Sequence, residues 1–429
     1  MLLLPNKLKW IKSQFLQLKN GDKKTFVHKI KKLLNTSSFF LLIFVYLPIF
    51  LIIRLFSNYF LVRFGKLPSK RIGHFANDLN LYISEKKRKS KRGFDIFYAE
   101  KPICNIFLYN VFKKSITILP EFLILPLIYL NRIKLIGDAK HNAKLHKFNE
   151  SLDLRDREKD NEIVNYFTKK DIENGYKYLE EMGLKKGDKY VCLLCRDETY
   201  VNDLFSKHYD LDYYKSGDQS KFRNCDIEDF RLVSEYLMSL GYHVFRMGQT
   251  VEKKFSLNNS KFIDYANSKH KSDFLDIFLS SHCNFFLSTG AGIDIVAAIF
   301  NKPIVFVSFT LVSQTRSVNK KQLIIFKHFK NKNSRKKLTL SEIFDLNLAD
   351  VKRDEIFNMK GIQLEDNSPE EIKEAVADML KLIENNFVLD KEELILQKKF
   401  WNLFKDKIDK YNFKHYHADF FKSHIGYSF

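Results

Sequence analysis

One segment, residues 273–309, has the pattern of two helices and two strands around a glycine-containing loop: DFLDIFLSSHCNFFLSTGAGIDIVAAIFNKPIVFVSF. Apolar residues recur at helical spacing from Phe274 to Phe278, and the uncharged run from Asn284 to Leu287 is too short for a helix but long enough for a strand. A second helical pattern and a proline-led apolar strand follow. This alternation of helices with buried strands predicts a parallel sheet.

The loop between the first strand and the second helix contains only small residues, Ser288-Thr289-Gly290-Ala291-Gly292. A turn of this kind directs unpaired backbone N–H groups and the positive end of a helix toward one point, which suits a phosphate. An ordinary strand-to-helix turn in a parallel sheet has the same pattern. The segment alone leaves both interpretations open.

The charge of the chain is strongly positive and unevenly distributed. The 429 residues carry a net charge of +21, and residues 1–100 hold 20 Lys and Arg against 5 Asp and Glu. Hydrophobic residues at 45% and charged residues at 29% are typical of a folded protein, and the length allows two domains with full cores. A basic end of this kind suits either nucleic acid or an anionic membrane.

An apolar run beside the basic residues favours the membrane over nucleic acid. Phe39 to Ile53 is uncharged and would form a helix of only ~23 Å, whereas a hydrocarbon core is ~30 Å thick. Lysines precede the run and arginines follow it, without the one-sided bias of a spanning helix. We therefore predict a monotopic or re-entrant anchor on anionic head groups. A buried core helix is the alternative.

The five cysteines predict free thiols in a reducing compartment. They have no regular spacing and no secretion signal precedes them. Cys192 and Cys195 lie three residues apart on a predicted strand and so face opposite sides of it. We interpret them as strand interior and not as a zinc or redox pair.

Two blocks of alternating strands and helices flank a polar segment without periodicity. We predict an anchoring region at 1–65, an N-terminal domain at 66–140, a linker at 141–165, a C-terminal domain at 166–386 and C-terminal helices at 387–429. Two local predictions accompany this division. The apolar stretch from Phe122 to Ile133 is expected to be a buried helix, and Ser368-Pro369-Glu370-Glu371 has the pattern of a helix capping box.

Five motifs in a fixed order carry a resemblance to a known family. They are RIGHFANDLNLYI (71–83), VCLLCRDETY (191–200), KFRNCDIEDF (221–230), GYHVFRMGQ (241–249) and FIDYANSKHKSDFLDIFLSSHCNFFLSTGAG (262–292). With the order of elements in 273–309, they resemble the donor-site half of GT-B glycosyltransferases and the related UDP-N-acetylglucosamine 2-epimerases. The resemblance is closest to bacterial glycosyltransferases of surface-polysaccharide loci.

The resemblance implies a fold and an activity, and the anchor predicted from the N-terminal residues adds a location. The fold would be α/β of the GT-B type, with two Rossmann-like domains facing a cleft and an N-terminal membrane-associated helical segment. The activity would move a sugar from a nucleotide-activated donor to a lipid-linked surface glycan. The protein would lie peripherally at the cytoplasmic face of the bacterial inner membrane, bind no nucleic acid, and need neither a cofactor nor a metal.

For the donor site, the resemblance implies charge neutralisation of the leaving diphosphate by arginines and helix N-termini. Arg196 and Arg246 lie at the ends of predicted strands, where ligands bind in open α/β sheets, and a guanidinium can meet two phosphate oxygens. The implied donor-binding residues are Arg196, Arg223, Arg246, Gly248, Ser288, Thr289, Gly290, Ala291 and Gly292.

For the acceptor side, the resemblance places Gly73 and His74 after a strand, facing the cleft. A histidine there could accept the proton of the acceptor hydroxyl, with Gly73 and Asn77 binding the acceptor. Asp226 and the Asp197-Glu198 pair are alternative bases. Asp210-Leu211-Asp212 matches the metal-binding pattern of a different glycosyltransferase fold, but the rest of that fold's organisation is missing, so no metal site is predicted.

Two other functional classes stay open. A nucleotide-sugar epimerase shares the fold and the loop, and a non-catalytic membrane- or polyanion-binding protein would use the basic N-terminus. The predicted anchor favours the transferase over the epimerase because a soluble sugar nucleotide requires no membrane.

Overall fold

The computed structural model describes residues 42–88, 93–143, 145, 164–199, 221–315, 321–408 and 424–426. The chain forms two compact units. Of the described residues, the smaller unit contains 42–67, 93–100 and 116–143, and the larger unit contains the others. The predicted domain boundaries stay predictions.

The first part of the chain alternates helices and strands. In chain order the elements are α1 (42–55), β1 (Val62–Leu67), α2 (Ile72–Arg88), β2 (Phe94–Ala99), α3 (Ile106–Lys113), β3 (Thr117–Ile118) and α4 (Glu121–Arg132). Helices α2 and α3 belong to the larger unit, and the other elements belong to the smaller one.

The smaller unit contains a three-stranded parallel sheet in the order β1-β2-β3. Alternate residues of a strand face the same side of a sheet. Val62 and Phe64 of β1, with Ile96 and Tyr98 of β2, therefore face one side, where they pack in a single core with α1 and α4.

Helix α1 contributes to that core through one of its faces. Phe50 is fully buried, and Ile43, Leu47 and Ile53 pack against the same core. The opposite face is exposed, as the 73% exposure of Phe44 shows. The run predicted as an anchor is thus part of a folded unit from residue 42 onward, while its first residues lie outside the described part of the chain.

The structure bears on two predictions about apolar segments, the N-terminal anchor and the buried helix at 122–133. Among the described residues, no helix has the length and apolar character to cross a membrane. Helix α4, expected to be buried, is only half buried: Ile124 and Leu127 lie in the core, but Phe122 is 61% exposed. The helical pattern was correct, and the burial was overestimated because both of its faces are apolar.

The larger unit continues with further strands and helices. They are α5 (Lys169–Glu181), β4 (Tyr190–Leu194), α6 (Arg231–Ser239), β5 (His243–Arg246), β6 (Phe262–Ile263), α7 (Asp273–His282), β7 (Phe285–Ser288), α8 (Asp294–Ile299), β8 (Ile304–Phe309), β9 (Gln322–Phe326), β10 (His328–Asn331), α9 (Leu340–Asp345), α10 (Asp354–Met359), β11 (Ile362–Glu365), α11 (Pro369–Ile383), α12 (Lys391–Ile408) and β12 (His424–Gly426).

The main sheet of this unit is parallel throughout, in the order β12-β9-β8-β7-β4-β5-β6. The chain runs outward from β4 through β5 to β6, returns to β7 beside β4, and then runs outward in the other direction. This is the strand order of a doubly wound Rossmann sheet, whose direction switches between β4 and β7. The predicted α/β class is confirmed, and so is the helix–strand–loop–helix–strand order of residues 273–309.

Helices cover both faces of the main sheet, and β4 and β7 are buried along their whole length. On one face, Val233 of α6 and Val376 of α11 lie in a core with Val191 and Phe285. Helix α11 begins with the predicted capping box, in which Ser368 and Glu371 exchange hydrogen bonds.

On the other face, an aromatic cluster joins α3, α7 and α8. The ring of Phe167 lies 5.7 Å from Phe107, 5.8 Å from Phe278 and 5.8 Å from Phe300, measured between centroids. Asp273, at the start of α7, also accepts a hydrogen bond from the backbone N–H of Ile106 (2.6 Å). These contacts place the start of α3 beside α7.

The burial of α1 generates a stability prediction with a matched control in the same helix. Phe50→Ala should lower the free energy of unfolding by ~3–5 kcal/mol, because it leaves a cavity in the core of the smaller unit. Phe44→Ala should change it by less than ~0.5 kcal/mol, since Phe44 is exposed. Urea denaturation of the two variants checks this, and equal effects would contradict the observed packing.

Candidate functional site

A cavity with a volume of 650 Å³ lies in the larger unit, within the range of small-molecule sites. Its walls include residues 194–197 after β4, 247–251 after β5 and 290–295 after β7. Residues 70–74 at the start of α2 and 102–104 before α3 also line the cavity. The cavity thus lies at the carboxyl ends of the strands on either side of the point where the sheet switches direction, the usual ligand site of such sheets.

Two hydrogen bonds join the chain after β4 to the chain after β7. The backbone N–H of Thr289 donates to the carbonyl oxygen of Leu194 (3.1 Å), and the hydroxyl oxygen of Thr289 accepts from the backbone N–H of Arg196 (2.9 Å). Thr289 is buried and does not line the cavity. Its role in the structure is to hold the two loops together.

The loop after β7 is held by its own side chains. The Ser288 hydroxyl donates to Asp294 (2.7 Å) and accepts from the N–H of Gly290 (3.0 Å), while the N–H of Ala291 donates to the same Asp294 oxygen (2.7 Å). Two of the backbone N–H groups expected to be free for a phosphate are therefore occupied. The N–H groups of Gly292 and Ile293 have no acceptor within the described chain.

Gly290 and Gly292 are required by geometry. Gly290 has a φ of +82°, and a Cβ there would lie 2.7 Å from the ring of Phe309. A Cβ on Gly292 would lie 3.0 Å from the backbone nitrogen of Gly73, and a Cβ on Gly73 would lie 3.0 Å from the Cα of Gly292. The start of α2 and the loop after β7 thus touch backbone to backbone, which places His74 beside the loop.

His74 and Asp78 form a pair on the first turns of α2. Their Nδ1 and Oδ2 atoms are 3.4 Å apart, and Asp78 is buried while the imidazole is partly exposed and lines the cavity. Gly73 and His74 were expected directly after a strand. They lie instead inside a helix, because β1 ends earlier, at Leu67. The i,i+4 spacing of His74 and Asp78 was the sequence signal for this pair.

Asn77, expected to bind the acceptor, lies elsewhere. It is fully buried, its amide donates to Asp78 (3.4 Å), and it does not line the cavity. Its side chain points into the interior of the larger unit.

Arg196 and Arg223, two of the residues expected to bind the donor, line the cavity, and both are positioned by hydrogen bonds. Arg196 donates to the side-chain oxygen of Asn224 (2.8 Å), and Arg223 donates to the carbonyl oxygen of Gly290 (2.5 Å). Asn224 is fixed in turn by the buried ammonium of Lys327, which donates to its carbonyl oxygen (2.6 Å) and pairs with Asp366.

Arg246 does not line the cavity, in contrast to the expectation. Its side chain is buried, with Nη1 3.6 Å from Asp264 and the guanidinium 5.9 Å from the centre of the Phe255 ring. Neighbouring residues at a strand end face opposite sides, and the next residue, Met247, lines the cavity instead. Gly248, two residues later, does line the cavity.

Asp226, one of the alternative bases, also lies outside the cavity lining, whereas Asp197 lies within it. The carboxylate of Asp226 caps a short helix through the N–H of Glu228 (3.1 Å) and pairs with Lys253 (2.6 Å). The hydrogen bond from Lys253 lowers the pKa of Asp226, which makes it a weaker base.

A buried charged group that the sequence did not reveal lies in the cavity wall. Asp276 of α7 contacts the ammonium of Lys271 and accepts a hydrogen bond from the hydroxyl of Tyr265 (2.9 Å). Burial raises the pKa of Asp276, and Lys271 opposes that rise. Lys271 also donates to Gln249 (3.2 Å), so it connects α7 with the loop after β5.

Positive charge predominates among the ionisable side chains of the lining. The cations are Lys70, Arg71, Arg196, Arg223, Lys271 and Lys352, and the carboxylates are Asp197, Asp276 and Asp294. Because low-dielectric walls strengthen such a field, this surplus favours an anionic ligand.

Neither metal ligands nor reactive thiols are evident within the described residues. No group of three or more His, Cys, Asp or Glu residues is placed to hold a metal ion there, while Asp210 and Asp212 lie outside that part of the chain. All five cysteines are free. Two of them line the cavity, where burial raises the pKa of Cys104 to about 12 and that of Cys195 well above its usual value.

The position of Arg196 generates a binding prediction. Arg196→Gln should weaken the binding of UDP, GDP or CMP, whichever the wild type binds, roughly 10- to 150-fold, the cost of a lost charged hydrogen bond. Arg231→Gln is the matched control, because Arg231 is exposed on α6 and does not line the cavity. Titration calorimetry checks both, and equal affinities for the two variants would remove Arg196 from the site.

Comparison with known proteins gives a distant likeness to solved structures only. No protein-family model matches the chain, and no curated protein matches it. The chain is similar to ADP-heptose LPS heptosyltransferase II of E. coli (12% identity, TM-score 0.42, 75% of this chain and 99% of that one). It is also similar to the dodecameric iron-containing heptosyltransferase TibC, solved with ADP-D-β-D-heptose (9% identity, TM-score 0.36, 75% and 78%). At such TM-scores, the fold assignment rests on the strand order of the chain itself.

Proposed function

We propose that this protein is a glycosyltransferase of the GT-B type, which moves a sugar from a nucleotide-activated donor to a lipid-linked glycan. The observation that carries the proposal is the cationic cavity at the switch point of the Rossmann sheet, with a histidine–carboxylate pair at its edge. Such a cavity supplies charge neutralisation for a leaving diphosphate and a base for an acceptor hydroxyl, the two requirements of the reaction.

The donor diphosphate would lie between the loop after β7 and the two arginines. The N–H groups of Gly292 and Ile293 and the guanidinium groups of Arg196 and Arg223 would meet its oxygens. As the bond between the anomeric carbon and the diphosphate breaks, negative charge grows on the leaving oxygen. Donors already held in place stabilise that charge without reorganising, which lowers the barrier.

The acceptor hydroxyl would be deprotonated by His74. When the protonated Nδ1 of His74 donates to the Asp78 carboxylate, the other ring nitrogen, Nε2, is unprotonated and can accept the proton of the hydroxyl. The carboxylate therefore selects the tautomer that works as a base. The buried Asp78 also stabilises the imidazolium that forms during transfer. The contact between Gly73 and Gly292 brings this base close to the diphosphate loop.

The base assignment generates a prediction on turnover. His74→Asn should lower kcat ~10²- to 10⁴-fold without weakening nucleotide binding. Asp78→Asn should lower kcat less, because an amide can still hold the imidazole ring but no longer offsets the positive charge that forms on it during transfer. Asp226→Asn is the control and should keep wild-type turnover, since Asp226 lies outside the cavity lining.

The measurement is nucleoside diphosphate release from UDP-, GDP- and ADP-sugars in the presence of bacterial glycolipid extract. ADP-sugars are included because a structural neighbour was solved with one. Wild-type turnover in His74→Asn would overturn the base assignment. Formation of an epimeric sugar nucleotide without acceptor would instead identify an epimerase.

Charge neutralisation by arginine and backbone N–H groups also predicts that the reaction needs no metal. Turnover should be unchanged in EDTA and should not rise when manganese is added. Loss of turnover in EDTA with recovery in manganese would assign the charge neutralisation to a metal and bring Asp210 and Asp212 back into consideration.

A further inference from the structure

The two helices of the smaller unit present apolar side chains to the solvent. Helices α1 and α4 pack on the same side of the three-stranded sheet, as the shared core of Phe50, Phe64 and Leu127 shows. Since both helices cover one side of the sheet, their opposite faces form the outer layer of that side. We call this outer layer the apolar face.

Helix α1 and the turn after it supply the larger share of the apolar face. Phe44 is 73% exposed, Leu55 is 74% exposed, and Val45, Ile52 and Phe56 are more than half exposed. Residues 42–60 contain no acidic side chain and a single basic one, Arg54. A water-facing helix normally carries charged or polar residues on its outer side, so this face is unusual for a surface in contact with water only.

Helix α4 and the turn after it supply the remaining share. Phe122 and Leu135 are exposed, and so are Tyr129 and Ile133. The guanidinium of Arg132 lies 5.6 Å from the centre of the Tyr129 ring, and Lys134 is exposed beside it. Glu121 is the one acidic residue of the helix. Cations and an aromatic ring beside exposed apolar groups are typical of a protein surface that enters the head-group region of a membrane.

We infer that the apolar face docks on the surface of an anionic lipid membrane, with α1 and α4 lying in the plane of the head groups. The charge of the preceding residues favours an anionic membrane as the partner, because residues 1–41 contain nine lysines and one acidic residue. An anionic leaflet attracts such a segment, and the apolar side chains then leave water for the acyl boundary. The inference does not depend on the proposed sugar transfer, because docking requires only the smaller unit and the residues before it.

The docking surface differs from an anchor made of one apolar run. Half of α1 is committed to the protein core, so only its outer face is available for lipid. The second half of the surface comes from α4, which lies far from α1 in the sequence. A second copy of this chain, or residues 1–41 of the same chain, are the other possible occupants, and the experiment separates them from lipid.

The test measures binding of the full-length protein to vesicles of phosphatidylethanolamine with phosphatidylglycerol, and to vesicles of phosphatidylcholine alone, by flotation. The first variant is the triple substitution Phe44→Ser, Ile52→Ser and Leu55→Ser, and the second is Phe122→Ser with Leu135→Ser. The matched control replaces three exposed apolar residues of the larger unit, Leu240, Met359 and Val388, by serine.

We expect wild type and control to bind the anionic vesicles, and to bind phosphatidylcholine vesicles more weakly. The triple variant should show a partition coefficient at least roughly ten-fold lower, and the double variant a smaller loss, because each removes apolar area that leaves water on docking. All variants should keep the wild-type thermal midpoint, since the replaced side chains are exposed.

Four results would overturn the inference. The first is wild-type protein that does not bind anionic vesicles. The second is a triple variant that binds them as well as the control does. The third is a variant whose only change, by analytical ultracentrifugation without lipid, is from dimer to monomer, which would identify a second copy as the occupant. The fourth is a lower thermal midpoint with unchanged vesicle binding, which would identify residues 1–41 as the occupant.

Discussion

The cavity of the larger unit depends on the junction of β4 and β7, where Thr289 forms hydrogen bonds both with Leu194 and with Arg196. Parallel strands on either side of a switch point send their following loops in opposite directions, which opens a space above the sheet. The two hydrogen bonds fix the floor of that space. Without them neither the arginine after β4 nor the glycine loop after β7 would have a defined position relative to the other.

Buried polar groups also fix the positions of side chains in the cavity wall. Burying the charged ammonium of Lys327 costs free energy. Its ion pair with Asp366 and its hydrogen bond to the backbone carbonyl oxygen of Asn224 offset that cost. Asn224 then orients Arg196. A comparable arrangement holds Lys271 against Asp276 on the other side of the cavity. Removing one partner of either pair would leave a buried charge uncompensated, so the cavity's positive field and the packing of the larger unit are energetically coupled.

In the smaller unit, helix α1 is apolar on both its buried and its exposed side. The buried side of α1 completes the core over β1 and β2, and the exposed side is equally apolar. A helix that is apolar all round is normally interior or in a membrane. In α1 the inner side is buried against the protein core, so only the outer apolar side is exposed to water. The basic composition of residues 1–41 adds an electrostatic preference to that hydrophobic one.

The sequence by itself determined what depends on local periodicity and local chemistry. The order of elements in 273–309, the α/β class and the cap at Ser368 could be predicted because apolar spacing and capping residues act within a few positions. Only the tertiary structure decided which side chains reach the cavity: Arg246 turns to Asp264, whereas Asp78 lies behind His74. Likewise, an apolar pattern shows that a face avoids water, but whether protein or lipid covers that face is set by contacts between distant parts of the chain.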